Sequence, residues 1–368
     1  MSSIPARPQL QHIPELDGIR GIAALMVLFH HLLFTSIPNP AQWNTLVVMA
    51  SSLGHAGGYG VDLFFVLSGF LITSLLLLDR ASPNYYWNFY WKRVLRILPL
   101  YLVALICLVA VMPQSWRYAL LSLVFLANFA QLFHIASAGP FWTLAIEEQF
   151  YLLWPQFARR LTVSGLERFA LAIAIACPVL RLTDAAFHHY NYLFTFFHCD
   201  GLALGAFLAC RQFRLQSGPP QQTRKNHIRH DVALVAVAIA VAAFPLAFTT
   251  DSPAAHTAEA LQLSGISLLC YCVIAAAVKH SGSSWLAVLR FPAVVFFGSI
   301  SYCLYIANSY VVVLYDHFRG PMQTGDMQQY VVRAAAVCCI TIAVCIVSRY
   351  TIELPAMSLR KHLLRAPR

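Results

Sequence analysis

Residues 16–31 read Leu-Asp-Gly-Ile-Arg-Gly-Ile-Ala-Ala-Leu-Met-Val-Leu-Phe-His-His, and the fold class turns on how this stretch is taken. It opens polar, then runs into an apolar segment long enough to enter a bilayer. Yet it carries Arg20 at its mouth and His30 and His31 deep inside. Ionisable side chains at membrane depth are costly, so they count as functional groups in need of partners.

The composition agrees with a bilayer setting. Of 368 residues, 59% are hydrophobic and 11% charged, and the mean hydropathy is +0.64. A single soluble core of this length could not bury so much apolar surface. The chain therefore reads as all-α, a polytopic membrane helix bundle with the lipid bilayer as a partner. Lys and Arg number 25 against 15 Asp and Glu, a net charge of +10. The basic residues fall between apolar runs and report orientation, so no nucleic acid is expected. The first nineteen residues lack the basic start, apolar stretch and cleavage site of a secretory signal, and the first span is expected to be retained. Most of the ten cysteines sit inside apolar runs, as Cys177, Cys210, Cys270 and Cys345 do, without CxxC or Cys/His spacing. No metal site is expected.

A crossing helix needs roughly 20 apolar residues. Ten spans are expected at about 20–37, 58–78, 97–112, 141–158, 166–183, 197–211, 231–250, 258–279, 291–315 and 328–352. With a cytoplasmic N-terminus they gather Arg80, Lys92, Arg93, Arg96, Arg159, Arg160, the cluster from Arg211 to Arg229, and the basic residues from Arg360 onward on one side. Only Arg117 and Arg319 then lie clearly outside. Counting 118–134 as a further crossing would flip Arg159, Arg160 and every later cluster, against the positive-inside tendency. That run is expected to be re-entrant or interfacial, with both termini cytoplasmic. The polar stretch at about 211–230 reads as a cytoplasmic linker between six spans and four, within a single domain over 1–368.

Chemistry can be sought among the charged and polar residues of these spans. Eleven residues of helix carry His31 about 16 Å inward from Arg20. A neutral imidazole there suits general-base work on a hydroxyl, or else a hydrogen bond to another helix. His30 and His31 point about 100° apart, and the residues alone do not choose between them. Asp62 stands near the outer end of the second span, as a helix-start carboxylate or as a partner for an arginine or histidine. Arg93 and Arg96, three apart, share a helical face and could grip one polyanion such as a phosphorylated cytoplasmic ligand, or serve as topology anchors. Glu147 and Glu148 cannot both face the same partner, so one should point into a polar cavity and could orient His31. Asp200 starts the sixth span, Asn308 puts an amide inside the ninth, and Pro355 is expected to end the tenth helix.

The runs LDGIRGIAALMVLFHH, GVDLFFVLSGFLIT, FYWKRVLRILPLY, FWTLAIEEQFYLLWP, CDGLALGAFLA, SYCLYIAN and IELP follow one another in this order between Leu16 and Pro355. In this the chain resembles the membrane-bound acyltransferase 3 family. The resemblance implies an integral membrane enzyme, in the bacterial cytoplasmic (inner) membrane, that moves an acyl group from acyl-CoA onto a hydroxyl of a carbohydrate or glycolipid acceptor. Acetyl from acetyl-CoA is the expected case. It selects His31 over His30, through the family's arginine, ten residues, histidine pattern beginning at Arg20. It assigns Arg93 and Arg96 to the acyl-CoA, and marks Glu147 as the family's acid with Trp142 and Thr143 before it. Asp62 and Asp200 match acids common in the family. Asn308 departs from it, standing where many members have a histidine. The extracellular hydrolase-like domain of some members is not expected. A transporter or flippase of a polyprenyl-linked or anionic substrate would also need intramembrane charges and a basic cytoplasmic mouth. That is the alternative reading.

Overall fold

A computed structural model of the chain describes residues 12–35, 43–186, 193–217, 224–243, 253–320 and 325–364. Among them there is no strand, and the chain is an all-α polytopic membrane bundle. Its helices are α1 (Pro14–His30), α2 (Thr45–Gly57), α3 (Gly60–Leu78), α4 (Tyr85–Val111), α5 (Trp116–Leu123), α6 (Phe141–Arg160) and α7 (Val163–Ala186). They are followed by α8 (Thr195–Ser217), α9 (Arg224–Ala243), α10 (Pro253–Lys279), α11 (Pro292–Arg319), α12 (Met327–Ser348), α13 (Leu354–Ser358) and α14 (Arg360–Leu363).

Each of the ten expected spans coincides with one of these helices, and the departures have local causes. By length and composition, seven stretches of the described helices could cross a membrane. Helices α6 and α8, which carry the acids, are not among them. Helix α1 begins earlier than expected, at Pro14, and ends in a π turn at His31–Thr35. Helix α2 was expected as loop; Asn44 caps it by accepting the Val47 N–H at 3.0 Å. Helix α4 starts at Tyr85, twelve residues before the expected span, so that Arg93 and Arg96 lie inside one continuous helix. At 1.5 Å per residue it is about 40 Å long, more than the hydrocarbon thickness, and its first turns can stand at an interface. The run at 118–134 forms α5 and a 3₁₀ turn (Ala127–Phe133) bent by 119°, a shape that fits the expected re-entrant element. The expected linker at 211–230 is helical at both ends, and residues 218–223 lie outside the described residues, as do 244–250 of the seventh expected span. Pro355 does not stop the chain. A π turn at Arg349–Glu353 leads into α13, where the proline occupies the first turn and its missing N–H costs nothing.

Two close helix pairs set the frame. Helix α3 packs along α8, with Gly69 against the Leu202 carbonyl and Gly205 against that of Val66; a Cβ on Gly205 would stand 2.6 Å from the Phe70 nitrogen. Helix α1 packs along α11, where Gly21 faces Val294 and Gly298. Small residues at such contacts let backbones approach and gain dispersion, the main attraction available inside lipid. Gly69→Val should lower stability by about 1–3 kcal/mol through overpacking. A reduced unfolding midpoint in detergent would register it, and an unchanged midpoint would mean that this contact is loose.

Polar ties fix the remaining helices. Glu15, fully buried at the start of α1, accepts from Ser281 Oγ (2.9 Å), the Gly282 N–H (2.8 Å) and Arg290 Nη1 (2.5 Å). Trp154 Nε1 of α6 donates to Thr73 Oγ1 of α3 at 2.8 Å, and Gln149 Nε2 donates to the Phe125 carbonyl and to Asn128 Oδ1 of the bent element. Tyr302 of α11 donates to the Ile97 carbonyl of α4 at 3.0 Å. These bonds orient α1, α3, α4, α6 and α11 around one space.

Candidate active site

That space is a cavity of about 480 Å³. Its walls follow helical periodicity on every side. Helix α3 contributes Val61, Phe64, Phe65, Ser68, Leu71, Ile72, Leu75, Leu76 and its C-cap Asp79, which is one face at spacings of three and four. Helix α4 contributes Phe89, Lys92, Arg93, Arg96 and Ile97, and α6 contributes Thr143, Leu144, Glu147, Glu148 and Tyr151. Leu16, Asp17 and Arg20 of α1, Ser301, Tyr302 and Tyr305 of α11, and Arg360 of α14 complete it.

The charges are segregated along this cavity. Toward one end lie Lys92, Arg93, Arg96 and Arg360 with His12, Asp17 and Asp79. Arg93 lays its guanidinium on the Tyr151 ring, 3.4 Å from the centroid, and lies 5.6 Å from that of Phe89. Such stacking holds a cation in an apolar wall without neutralising it. Farther in, Glu147 accepts from Ser68 Oγ at 2.9 Å and sits in the field of Arg20 and Arg93. Arg20 is 3.6 Å from Asp17. At the inner limit Thr143 donates to the Pro140 carbonyl at 2.8 Å and shares a short hydrogen bond with the Tyr305 hydroxyl, whose ring meets Phe64 at 5.9 Å. Both Glu147 and Glu148 line the cavity, where only one was expected to point inward. Adjacent positions 100° apart can straddle a face that borders the space edge-on.

Arg20, Arg93, Arg96, Glu147 and Thr143 are thus brought together around one space. His31 is not among the cavity-lining residues. It stands eleven residues beyond Arg20, and the intervening Ala23, Ala24, Val27 and Leu28 are at most 2% exposed. Its Nδ1 is 3.0 Å from the Val27 carbonyl, which can only accept, so Nδ1 carries the proton and Nε2 is the basic nitrogen of the neutral ring. By the same argument His30 donates through Nδ1 to the Gly54 carbonyl at 2.9 Å, tying α1 to α2. The two histidines differ in that way: one bonds within its own helix, the other across to a neighbour.

The remaining candidates lie elsewhere. Asp200 forms a fully buried pair with Arg181 of α7 (2.5 and 3.2 Å), and Arg181 also donates to Ser264 Oγ of α10 at 2.8 Å and to the Phe197 carbonyl. Asp62 is 5% exposed and faces the same charges. Both acids belong to this tie between α3, α7, α8 and α10. Trp142 packs its ring 5.6 Å from that of His198. Asn308, fully buried, donates to the Leu304 and Tyr305 carbonyls of its own helix (2.7 and 2.9 Å), and its Oδ1 has no partner among the described residues.

Four contributors escaped the sequence reading. Ser68 is on the Val61, Phe64, Phe65 face and Tyr151 is four residues after Glu147, so helical spacing could have found both. Arg181 sits at the end of an apolar run beside Asp184, and the acid it pairs with, Asp200, lies on the next helix. Arg360 was counted only among topology charges, because the π turn that brings it back has no sequence signature.

A family model described as an acyltransferase domain matches residues 13–350 of the chain. The peptidoglycan O-acetyltransferase OatA of Listeria monocytogenes (serovar 1/2a, strain EGD-e) is 30% identical over 167 residues, covering 40% of this chain and 24% of that protein. A Staphylococcus aureus (strain COL) protein carried under the provisional name O-acetyltransferase SACOL0978 is 26% identical over 340 residues, 84% of this chain and 52% of that protein. The chain therefore spans about half, or less, of the length of these relatives. No solved structure gives a significant match. With the family match running through nearly every helix described above, the chain belongs to the membrane-bound acyltransferase 3 family.

Proposed function

We propose that the chain is an acyl-CoA-dependent O-acyltransferase that carries acetyl to a hydroxyl of a glycan acceptor in the bacterial cytoplasmic membrane. The carrying observation is the cavity itself: its cation-rich end passes, along five helix faces, to the Glu147 carboxylate and the Thr143 hydroxyl. Guanidinium groups suit phosphates, and the apolar faces of α3 and α4 suit an extended thioester arm. In this reading Arg93 and Arg96 hold the donor's phosphates, the basic end is cytoplasmic, and the thioester arm runs past Glu147 so that the acyl group is presented toward His31 beyond the cavity's inner limit. The acceptor oxygen attacks the thioester carbonyl while His31 Nε2 takes its proton, and CoA leaves as the thiolate, which is then protonated. Arg20 offsets the charge that develops on the carbonyl oxygen. The Listeria relative, a peptidoglycan O-acetyltransferase, favours a cell-wall glycan as the first acceptor to try.

The test is transfer itself. Membranes containing the protein, supplied with radiolabelled acetyl-CoA and peptidoglycan fragments or polysaccharide, should label the acceptor and release free CoA. Label that never leaves CoA, with movement of a polyprenyl-linked or anionic substrate across the membrane instead, would favour the transporter reading and sink this one. Arg93→Ala and Arg96→Ala should each raise the KM for acetyl-CoA about tenfold or more, the value of one charge-assisted contact, with a smaller change in kcat. Equal KM values in wild type and both variants would remove the two arginines from the donor site.

A further inference from the structure

The cavity is lined by five arginine and lysine side chains against four carboxylates, and three of the cations have no carboxylate in contact among the described residues. Arg20 is within 3.6 Å of Asp17 and Lys92 within 3.4 Å of Asp79. Among the described residues, Arg93, Arg96 and Arg360 form no ion pair within the same reach. Arg93 and Arg360 each keep a buried Nε without a hydrogen-bond acceptor, and Arg96 stands in the positive field of Arg20, Arg93 and Arg360. Like charges converging on one cavity, with donor groups unpaired, attract an anion that relieves their mutual repulsion and accepts from the free donors.

Arg360 reaches this rim by an indirect route. After α12 the π turn at Arg349–Glu353 redirects the chain, and α13 and α14 fold back along α4. Trp87 Nε1 of α4 donates to the Leu363 carbonyl at 2.9 Å, and Arg360 Nη2 reaches the Lys92 carbonyl at 3.5 Å. The cavity is thereby bordered by an element that follows α12 in the chain and returns to α4.

We propose that Arg360 is a third phosphate-binding residue, which with Arg93 and Arg96 closes a site for the multiply charged, phosphorylated end of the donor. The proposal rests on the acyl-CoA reading above. Three guanidinium groups offer more N–H donors than one carboxylate can accept, whereas phosphates present several oxygens each. Segment 354–364 is then part of the donor site and contributes to its affinity. The same chemistry could be met by the headgroup of an anionic phospholipid, and the experiment separates the two.

The full chain, purified in an uncharged detergent, is titrated with CoA by calorimetry. Arg360→Ala should bind CoA about 10- to 100-fold more weakly, as expected for one charge-assisted contact. Its affinity should also depend less steeply on salt. Arg360→Lys keeps the charge without the planar fork and should fall between the two. Lys361→Ala, at an exposed position that does not line the cavity, should match wild type. Size-exclusion profiles accompany each variant; where the alanine form is not monodisperse, the lysine form, expected several-fold weaker, decides. Unchanged CoA affinity in Arg360→Ala, with loss in Arg93→Ala, overturns the third-ligand assignment and leaves the acyl-CoA reading intact. Unchanged CoA affinity with loss of co-purifying phosphatidylglycerol overturns it in favour of a lipid headgroup. A wild-type protein that binds no CoA overturns both.

Discussion

His31→Ala should lower acyl transfer about 10²- to 10⁴-fold, the usual worth of a positioned general base, while leaving CoA affinity at its wild-type value. The split follows from geometry. The imidazole is fixed by its bond to Val27 and lines none of the cavity that the donor would occupy. Glu147→Gln should behave differently, because that carboxylate lies in the cavity, accepts from Ser68 and balances Arg20 and Arg93. Its loss should disturb donor binding as well as turnover. Steady-state transfer and CoA titration on the two variants, at matched protein levels, check both. A His31→Ala protein transferring at the wild-type rate ends its assignment as base; if Glu147→Gln is then inactive, the proton acceptor is the carboxylate.

Asp200→Ala should destabilise the bundle by about 3–5 kcal/mol, the cost of leaving a buried cation without its partner. Arg181 is 2% exposed and makes three of its contacts to α8 and α10. Total stabilities of roughly 5–15 kcal/mol make such a loss severe. Thermal unfolding in detergent should show it directly. Replacing the pair together by apolar residues of similar size, Arg181→Met with Asp200→Leu, should recover most of the loss, since no stranded charge remains. If the double variant is as unstable as the single one, the acid has a role beyond neutralising Arg181.

The bundle was largely legible because lipid demands long apolar helices, and such runs, punctuated by basic clusters, stand out along the chain. Elements under weaker constraint were not. Helix α2 is too short to declare itself by hydropathy, and the reversal after α12 depends on a π turn that leaves Pro355 harmless. Within the site, Arg20 and Glu147 announced themselves as charges where charge is expensive, and Arg93 and Arg96 as cations sharing one helical face. Asp62 and Asp200 drew the same attention for the same reason but answer to Arg181, since an intramembrane acid can equally be a tie between helices. Side-chain depth along a helix is readable at 1.5 Å per residue, whereas whether two residues at comparable depth share a space depends on rotation about each helix axis. That is why His31 and Glu147 were expected to share one space, whereas Glu147 lines the cavity and His31 does not.

The burial of Ala23, Ala24, Val27 and Leu28, which follow Arg20 along α1 before His31, bears on bioenergetics. An enzyme with the proposed function, working within an energised membrane, must not become a leak for protons. Aliphatic side chains offer water no hydrogen-bond partners, so this stretch of α1 does not itself support a file of water. Liposomes bearing the wild-type chain should accordingly hold an imposed pH gradient as long as empty ones.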